Sequence, residues 1–131
     1  MSKELKFLSL WLPAFAWAGC IFFFSSIPDL KSNLEYDFVL RKIAHMLEYL
    51  ILTFLLHRAL KGSFKISSFI LFIYPAGASF LYAISDEIHQ LFVPGRSCSV
   101  LDILIDTVGI LGFYIIINFF KIWERARLRI G

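Results

Sequence analysis

The residue types that could do chemistry in this chain are concentrated in three short segments. In the first, Lys42, His45 and Tyr49 follow one another at i, i+3 and i+7, which places them on one face of a helix. Glu48 lies about 100° around the helix from Tyr49 and therefore flanks that face. An imidazole near a carboxylate and an ammonium group suits general acid–base catalysis and anion binding.

The second segment covers residues 85–96 and reads Ser-Asp-Glu-Ile-His-Gln-Leu-Phe-Val-Pro-Gly-Arg. If a helix continues to residue 90, Asp86, His89 and Gln90 share a face and Glu87 lies beside it. The Pro94–Gly95 pair is a turn signal. It predicts that the helix ends before the pair and that the chain brings Arg96 back toward the membrane.

The third segment carries Asp102, Asp106 and Gly109 at i, i+4 and i+7. A charged aspartate at the centre of a lipid-facing helix costs about 2.5–3.5 kcal/mol on insertion scales, so both acids are predicted to face the interior of a bundle. Taken together, the three segments direct acids, bases and a histidine to one end of that bundle.

The remainder of the chain is strongly apolar. Of its 131 residues 59% are hydrophobic and only 18% are charged, with a mean hydropathy of +0.74. Soluble domains carry about 25% charged residues, and a domain of this size exposes much of its surface. The composition therefore indicates a membrane protein and excludes a soluble enzyme, a nucleic-acid-binding module and a disordered tail.

Cys20 and Cys98 are predicted to be unpaired thiols.

Four stretches are predicted to span the membrane, because a spanning helix needs about 20 mostly apolar residues. They are residues 7–27, 40–57, 66–87 and 100–121. The second is the weakest, since its first half contains four polar or charged side chains. The predicted fold is an all-α integral membrane four-helix bundle that forms a single domain over residues 1–131.

The distribution of lysine and arginine predicts the orientation of the bundle. With four spans, the termini and the loop after the second span lie on one side and carry nine basic residues, whereas the other side carries four: Lys31, Arg41, Lys42 and Arg96. Cytoplasmic loops are enriched in Lys and Arg, so both termini are predicted to be cytoplasmic. His57, next to Arg58, is interpreted as an interface anchor at the cytoplasmic end.

The segments 24–28, 41–49 and 85–96, with the aspartate that follows six residues after Arg96, resemble the VanZ-like family in order and spacing. The block DEIHQLFVPGR at 86–96 is the most specific part of the resemblance. Matches to the family pattern fall on Ser26, Pro28, Lys42, His45, Tyr49, Asp86, Glu87, Gln90, Pro94, Gly95, Arg96, Asp102 and Gly109. The family pattern often has Asn where this chain has Asp106, which adds one ionisable group here.

The resemblance implies a small, multi-pass protein of the bacterial cytoplasmic membrane that acts in the cell envelope. The family takes its name from a protein of teicoplanin-type glycopeptide resistance, an antibiotic-resistance phenotype. Membrane lipids, a lipid-linked envelope substrate or a lipoglycopeptide are therefore the expected partners, and nucleic acid is not.

Two functions from different classes fit these residues, so whether the protein is an enzyme stays open at this point. In the first, an enzyme modifies a lipid-linked or envelope substrate at the outer face. Its candidate catalytic groups are His45, Asp86 and Glu87, and its candidate substrate-binding groups are Lys42, Tyr49, Gln90, Arg96, Asp102 and Asp106. In the second, a non-enzymatic membrane factor uses the same groups to bind lipid headgroups or lipoglycopeptides.

Two finer expectations concern Arg96 and metal ions. Arg96 is expected either to bind an anion or to pair with Asp102, for which Lys42 is the alternative partner. No resident metal or cofactor is predicted, although the acids offer enough oxygens for a divalent cation. Mg²⁺ or Ca²⁺ is then expected before Zn²⁺, because His45 and His89 are the only nitrogen ligands on that side.

Overall fold

The computed structural model describes residues 2–28 and 36–130, and these residues form four α-helices. Helix α1 spans Lys3–Ser25, α2 spans Asp37–Ser63, α3 spans Ser68–Gln90 and α4 spans Val100–Ile130. No strand occurs within these two ranges. The predicted all-α, four-helix architecture is confirmed.

Three of the described helices are long and apolar enough to cross a membrane: α1, α3 and residues Val100–Arg125 of α4. Helix α2 does not reach that hydropathy, because Arg41, Lys42, His45 and Glu48 all lie in its first half. It contacts each of the other three helices. Those helices shield much of its polar half from lipid, which is how a helix of this composition belongs to the bundle.

The centre of the bundle is a small apolar core, and its outer surface is also apolar. The core cluster consists of Ile21, Tyr49, Leu52, Ala83, Ile110, Phe113 and Tyr114. Large apolar side chains such as Phe15, Phe69 and Phe119 point outward and are about two-thirds exposed. In water such a surface would aggregate, whereas in a bilayer it is the expected lipid-facing surface.

Polar contacts between helices supplement this core. The Thr53 hydroxyl donates to the Ser79 hydroxyl at 3.0 Å, and the Tyr82 hydroxyl donates to the carbonyl of Ala18 at 2.7 Å. The Trp17 indole donates to the carbonyl of Glu48 at 2.9 Å. Interhelical hydrogen bonds of this kind fix helix rotation in membrane proteins, each stabilising the bundle by about 1 kcal/mol.

His57 is more buried in the bundle than its position next to Arg58 suggested. Its side chain is only 8% exposed, and its ring packs edge-on against Phe113 at a centroid distance of 5.2 Å. The interpretation of His57 as an interface anchor is therefore wrong. The rotation of α2 turns this residue toward α4 rather than toward the surface.

Helices α4 and α2 approach each other closely at Gly109. A Cβ atom built on Gly109 would lie 2.0 Å from the backbone carbonyl oxygen of Met46. Only a residue without a side chain permits this crossing. It brings Asp106, one turn before Gly109 on α4, against His45, one turn before Tyr49 on α2.

The orientation of the bundle stays a prediction, and Cys98 offers a direct test. Lys31 lies outside the described residues, but Cys98 is an exposed free thiol in the segment between α3 and α4. We expect a charged, membrane-impermeant maleimide to label Cys98 in intact cells. A Cys98→Ser variant gives the background, since Cys20 lies on the apolar helix α1.

Lys65→Cys in the Cys98→Ser background probes the opposite loop, where Lys65 is exposed. We expect labelling of this variant only after the cells are permeabilised. Labelling of Lys65→Cys in intact cells, with protection of Cys98, would reverse the predicted orientation.

Candidate functional site

An ion pair joins the second turn of α2 to the first turn of α4. The Lys42 ammonium donates to Oδ1 of Asp102, and both side chains are mostly buried. This contact decides between the two partners expected for Asp102, in favour of lysine. It also holds α2 and α4 together on the side that faces the segment 91–99.

One turn further into the bundle, His45 lies between two carboxylates. Its Nδ1 atom is 3.5 Å from Oδ1 of Asp106 and 3.9 Å from Oε2 of Glu48. Neither oxygen of Asp106 accepts a hydrogen bond from the described residues, although its side chain is only 1% exposed. The predicted inward orientation of Asp106 is confirmed, and its oxygens are buried acceptors without a donor.

Helix α3 contributes a third carboxylate, Glu87, which is fully buried. Its Oε2 atom accepts a hydrogen bond from the backbone N–H of Ser99 at 2.8 Å, which ties the end of α3 to the start of α4. Its Oε1 atom has no hydrogen-bond partner within the described residues. Asp86 on the same turn accepts from the Gln90 amide at 3.1 Å.

Three ligand-type atoms thus converge from three helices. One atom each from His45, Glu87 and Asp106 lies within 4.8 Å of the others. We call these three residues the buried triad. Sequence spacing within one helix does not predict this meeting, because the three residues are 42 and 19 positions apart along the chain.

Among the described residues, Arg96 contacts backbone carbonyls and not Asp102, so the expected pairing with Asp102 is wrong, whereas its anion binding stays a prediction. Gly95 adopts a positive φ of 77°, so the chain reverses there. The Arg96 guanidinium then donates to the carbonyls of Phe24 at 2.9 Å and Ile27 at 3.2 Å. These carbonyls lie at the C-terminal end of α1, where helix carbonyls lack intrahelical partners, so Arg96 ties the segment 91–99 to α1.

A cavity of about 350 Å³ opens beside the buried triad; we call it the polar pocket. Its lining includes Arg41, Lys42, His45, Gln90, Arg96, Ser99 and Asp102, with Phe38 and Leu101 also lining it. A second cavity of about 60 Å³ lies toward α1 and is lined in part by Glu48 and Asp86. His45 lines both cavities, so it is the triad residue in contact with the open space.

Four predicted site residues, Tyr49, Asp86, Glu87 and Asp106, do not line the polar pocket. Tyr49 is fully buried in the core, with its ring 6.4 Å from that of Tyr82, and it lines neither cavity. His89 faces α1, where its Nε2 atom is 3.0 Å from the Ser26 hydroxyl. The face predicted for Asp86, His89 and Gln90 is turned toward α1, where Asp86 and Gln90 line the second cavity together with Ile21 and Phe24.

Two groups of the site, the Glu48 carboxylate and the Ser99 backbone N–H, were not predicted from the sequence as site groups. Glu48 was treated as flanking the active face, yet it contacts His45, and the i, i+3 spacing of the two residues was the available signal. The backbone N–H of Ser99 had no signal in the sequence, because any residue type supplies it.

The cationic side chains of the site already have partners, whereas several of its carboxylate oxygens have no hydrogen-bond donor in the part of the chain that the structure describes. Among the described residues, Arg41 pairs with Asp37 at 3.2 Å, Lys42 pairs with Asp102, and Arg96 is hydrogen-bonded to carbonyls. By contrast, buried oxygens without a hydrogen-bond partner occur on Asp86, Glu87 and Asp106. Such oxygens are costly to bury, and they favour a ligand that brings hydrogen-bond donors or positive charge.

Comparison with known proteins assigns the chain to a family. The family model described as VanZ/LLP1 matches residues 10–121, which includes all of α2 and α3, most of α1 and α4, and every residue of the buried triad. No curated protein and no solved structure gives a significant match.

Proposed function

The chain belongs to the VanZ/LLP1 family, and we propose that it is a membrane-embedded enzyme that modifies the headgroup of a lipid-linked cell-envelope substrate. The observation that carries the proposal is the position of His45, which contacts a buried carboxylate on one side and lines the polar pocket on the other. We place the enzyme in the bacterial cytoplasmic membrane with the pocket at the outer face.

The His45–Asp106 contact suits general-base catalysis. If the 3.5 Å contact shortens to a hydrogen bond when substrate binds, the Asp106 carboxylate would hold the Nδ1–H tautomer of His45 and leave Nε2 to take a proton from the substrate. The carboxylate also stabilises the imidazolium that forms. Asp106 then acts as a positioning residue and His45 as the catalytic base.

The lining of the polar pocket supports an amphipathic substrate. Its polar wall includes the His45 imidazole and the Gln90 amide, which could accept hydrogen bonds from hydroxyl or amine groups. Phe38 and Leu101 line the same cavity, and both are at least half exposed on the outside of the bundle. A headgroup rich in hydroxyls or amines would therefore enter the pocket while its acyl or prenyl chain stays in lipid.

A second candidate function is binding without turnover. The apolar residues at the pocket would also accommodate the acyl chain of a lipoglycopeptide, and such binding would contribute to teicoplanin-type resistance. This alternative uses the same pocket but needs no general base.

The two candidates are separated by comparing cells that lack the gene with complemented cells. We expect deletion to change the abundance of one lipid-linked envelope species, measured by mass spectrometry of extracted lipids. The wild-type gene restores that species, and His45→Gln or Asp106→Asn does not, at equal membrane levels of protein. His57→Gln is the matched control, because it removes a mostly buried histidine from the same helix outside the pocket.

Full restoration by His45→Gln would contradict the enzymatic proposal. An unchanged lipid profile together with altered teicoplanin susceptibility would favour the binding function instead.

A further inference from the structure

The buried triad places two acidic side chains and an imidazole unusually close together. The relevant atoms of His45, Glu87 and Asp106 all lie within 4.8 Å of one another. Glu87 and Asp106 are fully buried at residue level, and each has at least one oxygen without a hydrogen-bond partner among the described residues. The Nδ1 atom of His45 likewise lacks one.

Two buried carboxylates this close together are stable in their charged form only if a positive charge lies near them. Their mutual repulsion is weakly screened inside a protein, and an unpaired buried charge is strongly destabilising. The Lys42 ammonium is engaged with Asp102. A dication placed between the three side chains would neutralise both carboxylates and use all the unpaired atoms that face it.

We propose that the buried triad binds a divalent transition-metal ion through Nδ1 of His45, Oε1 of Glu87 and the carboxylate of Asp106. The inference concerns the same pocket as the proposed function but rests on the buried ligand atoms rather than on turnover. It goes beyond the sequence expectation of Mg²⁺ or Ca²⁺.

The separations need a moderate contraction to form such a site. In a tetrahedral site with metal–ligand bonds of about 2.1 Å, two ligand atoms are about 3.4 Å apart. Nδ1 of His45 and Oδ1 of Asp106 are 3.5 Å apart, and the three ligand-type atoms as a set lie within 4.8 Å of one another. A pair at that limit would have to approach by about 1.4 Å, through side-chain rotation and a shift of the helices.

The ligand types favour Mn²⁺, Fe²⁺ or Zn²⁺. Mg²⁺ and Ca²⁺ prefer oxygen ligands throughout, whereas an imidazole with two carboxylates is typical of transition metals. The hydrogen bond from the Ser99 N–H to Oε2 of Glu87 would orient the second ligand. His45 borders the polar pocket, so an additional coordination position would be open to water or substrate.

With the ion bound, Nδ1 of His45 would be a ligand and Nε2 would carry the ring proton, so His45 would no longer be the general base, and the ion would supply the Lewis acid that polarises a substrate oxygen. Failure of metal binding would leave the general-base proposal intact. The test below therefore reads binding and not activity.

Manganese serves as the first probe. The full chain is purified in detergent, stripped with EDTA and titrated with MnCl₂ while free Mn²⁺ is followed by electron paramagnetic resonance. We expect one Mn²⁺ per chain for the wild type and for His57→Gln. Glu87→Gln and Asp106→Asn should each bind at least 10-fold more weakly. Wild-type affinity in both carboxylate variants, or no saturable Mn²⁺ or Zn²⁺ binding to the wild type, would overturn the proposal.

If those variants fail to fold, the proposal is tested on the wild type alone, by X-ray absorption spectroscopy at the zinc edge of the zinc-loaded protein. We expect a shell of nitrogen and oxygen atoms at about 2.0–2.1 Å with the scattering pattern of one imidazole. A sulfur shell at about 2.3 Å would place the ion on the exposed thiols of Cys20 or Cys98 and would overturn the assignment.

Discussion

Gly109→Ala is expected to destabilise the bundle strongly and to separate α4 from α2. The new Cβ atom would lie 2.0 Å from the carbonyl oxygen of Met46 and 2.9 Å from its carbonyl carbon. These are backbone atoms inside a helix, so they cannot move aside as a flexible side chain can. Overpacking that side chains absorb costs about 1–3 kcal/mol, and we expect this substitution to reach or exceed the upper end.

Gly112→Ala is the matched control on the same helix. Its Cβ would be 3.8 Å from the nearest atom, a methyl group of Leu50, which is ordinary contact. Since alanine is a better helix former than glycine by about 0.8–1.0 kcal/mol, this variant should match or exceed the wild type. Thermal unfolding followed by fluorescence-detected size-exclusion chromatography compares the two variants. Equal melting temperatures for them would show that α2 and α4 do not cross as closely as described.

Lys42→Met is expected to be the most damaging loss of charge in the chain. It leaves Asp102 mostly buried without its cation, and removing one partner of a buried ion pair costs about 3–5 kcal/mol. Replacing both residues, as in Lys42→Met with Asp102→Leu, should restore most of that stability, because no uncompensated charge remains.

Arg41→Met provides the neighbouring control. The Arg41–Asp37 pair lies within one helical turn and the Arg41 side chain is 36% exposed, so its loss should cost no more than about 1 kcal/mol. Chemical or thermal unfolding of the single and double variants measures these differences. A Lys42→Met protein as stable as Arg41→Met would contradict the importance of the ion pair between α2 and α4.

Several features of the protein follow from the sequence by itself. The apolar stretches predicted four helices, because a chain segment in lipid must satisfy its backbone hydrogen bonds internally. The i, i+4 spacing of Asp102 and Asp106 predicted that both face inward, and both are buried. The Pro94–Gly95 turn predicted the chain reversal before Arg96, which the positive φ of Gly95 confirms.

The partners of these residues were decided only by the tertiary structure. Asp102 pairs with Lys42 while Arg96 reaches the carbonyls of α1, and His89 contacts Ser26. A helical pattern determines which residues share a face of one helix, but not how that helix is rotated or shifted along its axis relative to its neighbours. That arrangement results from packing: the close crossing of Gly109 over Met46 brings His45 and Asp106 together, and helix α3, which contacts both α2 and α4, adds Glu87.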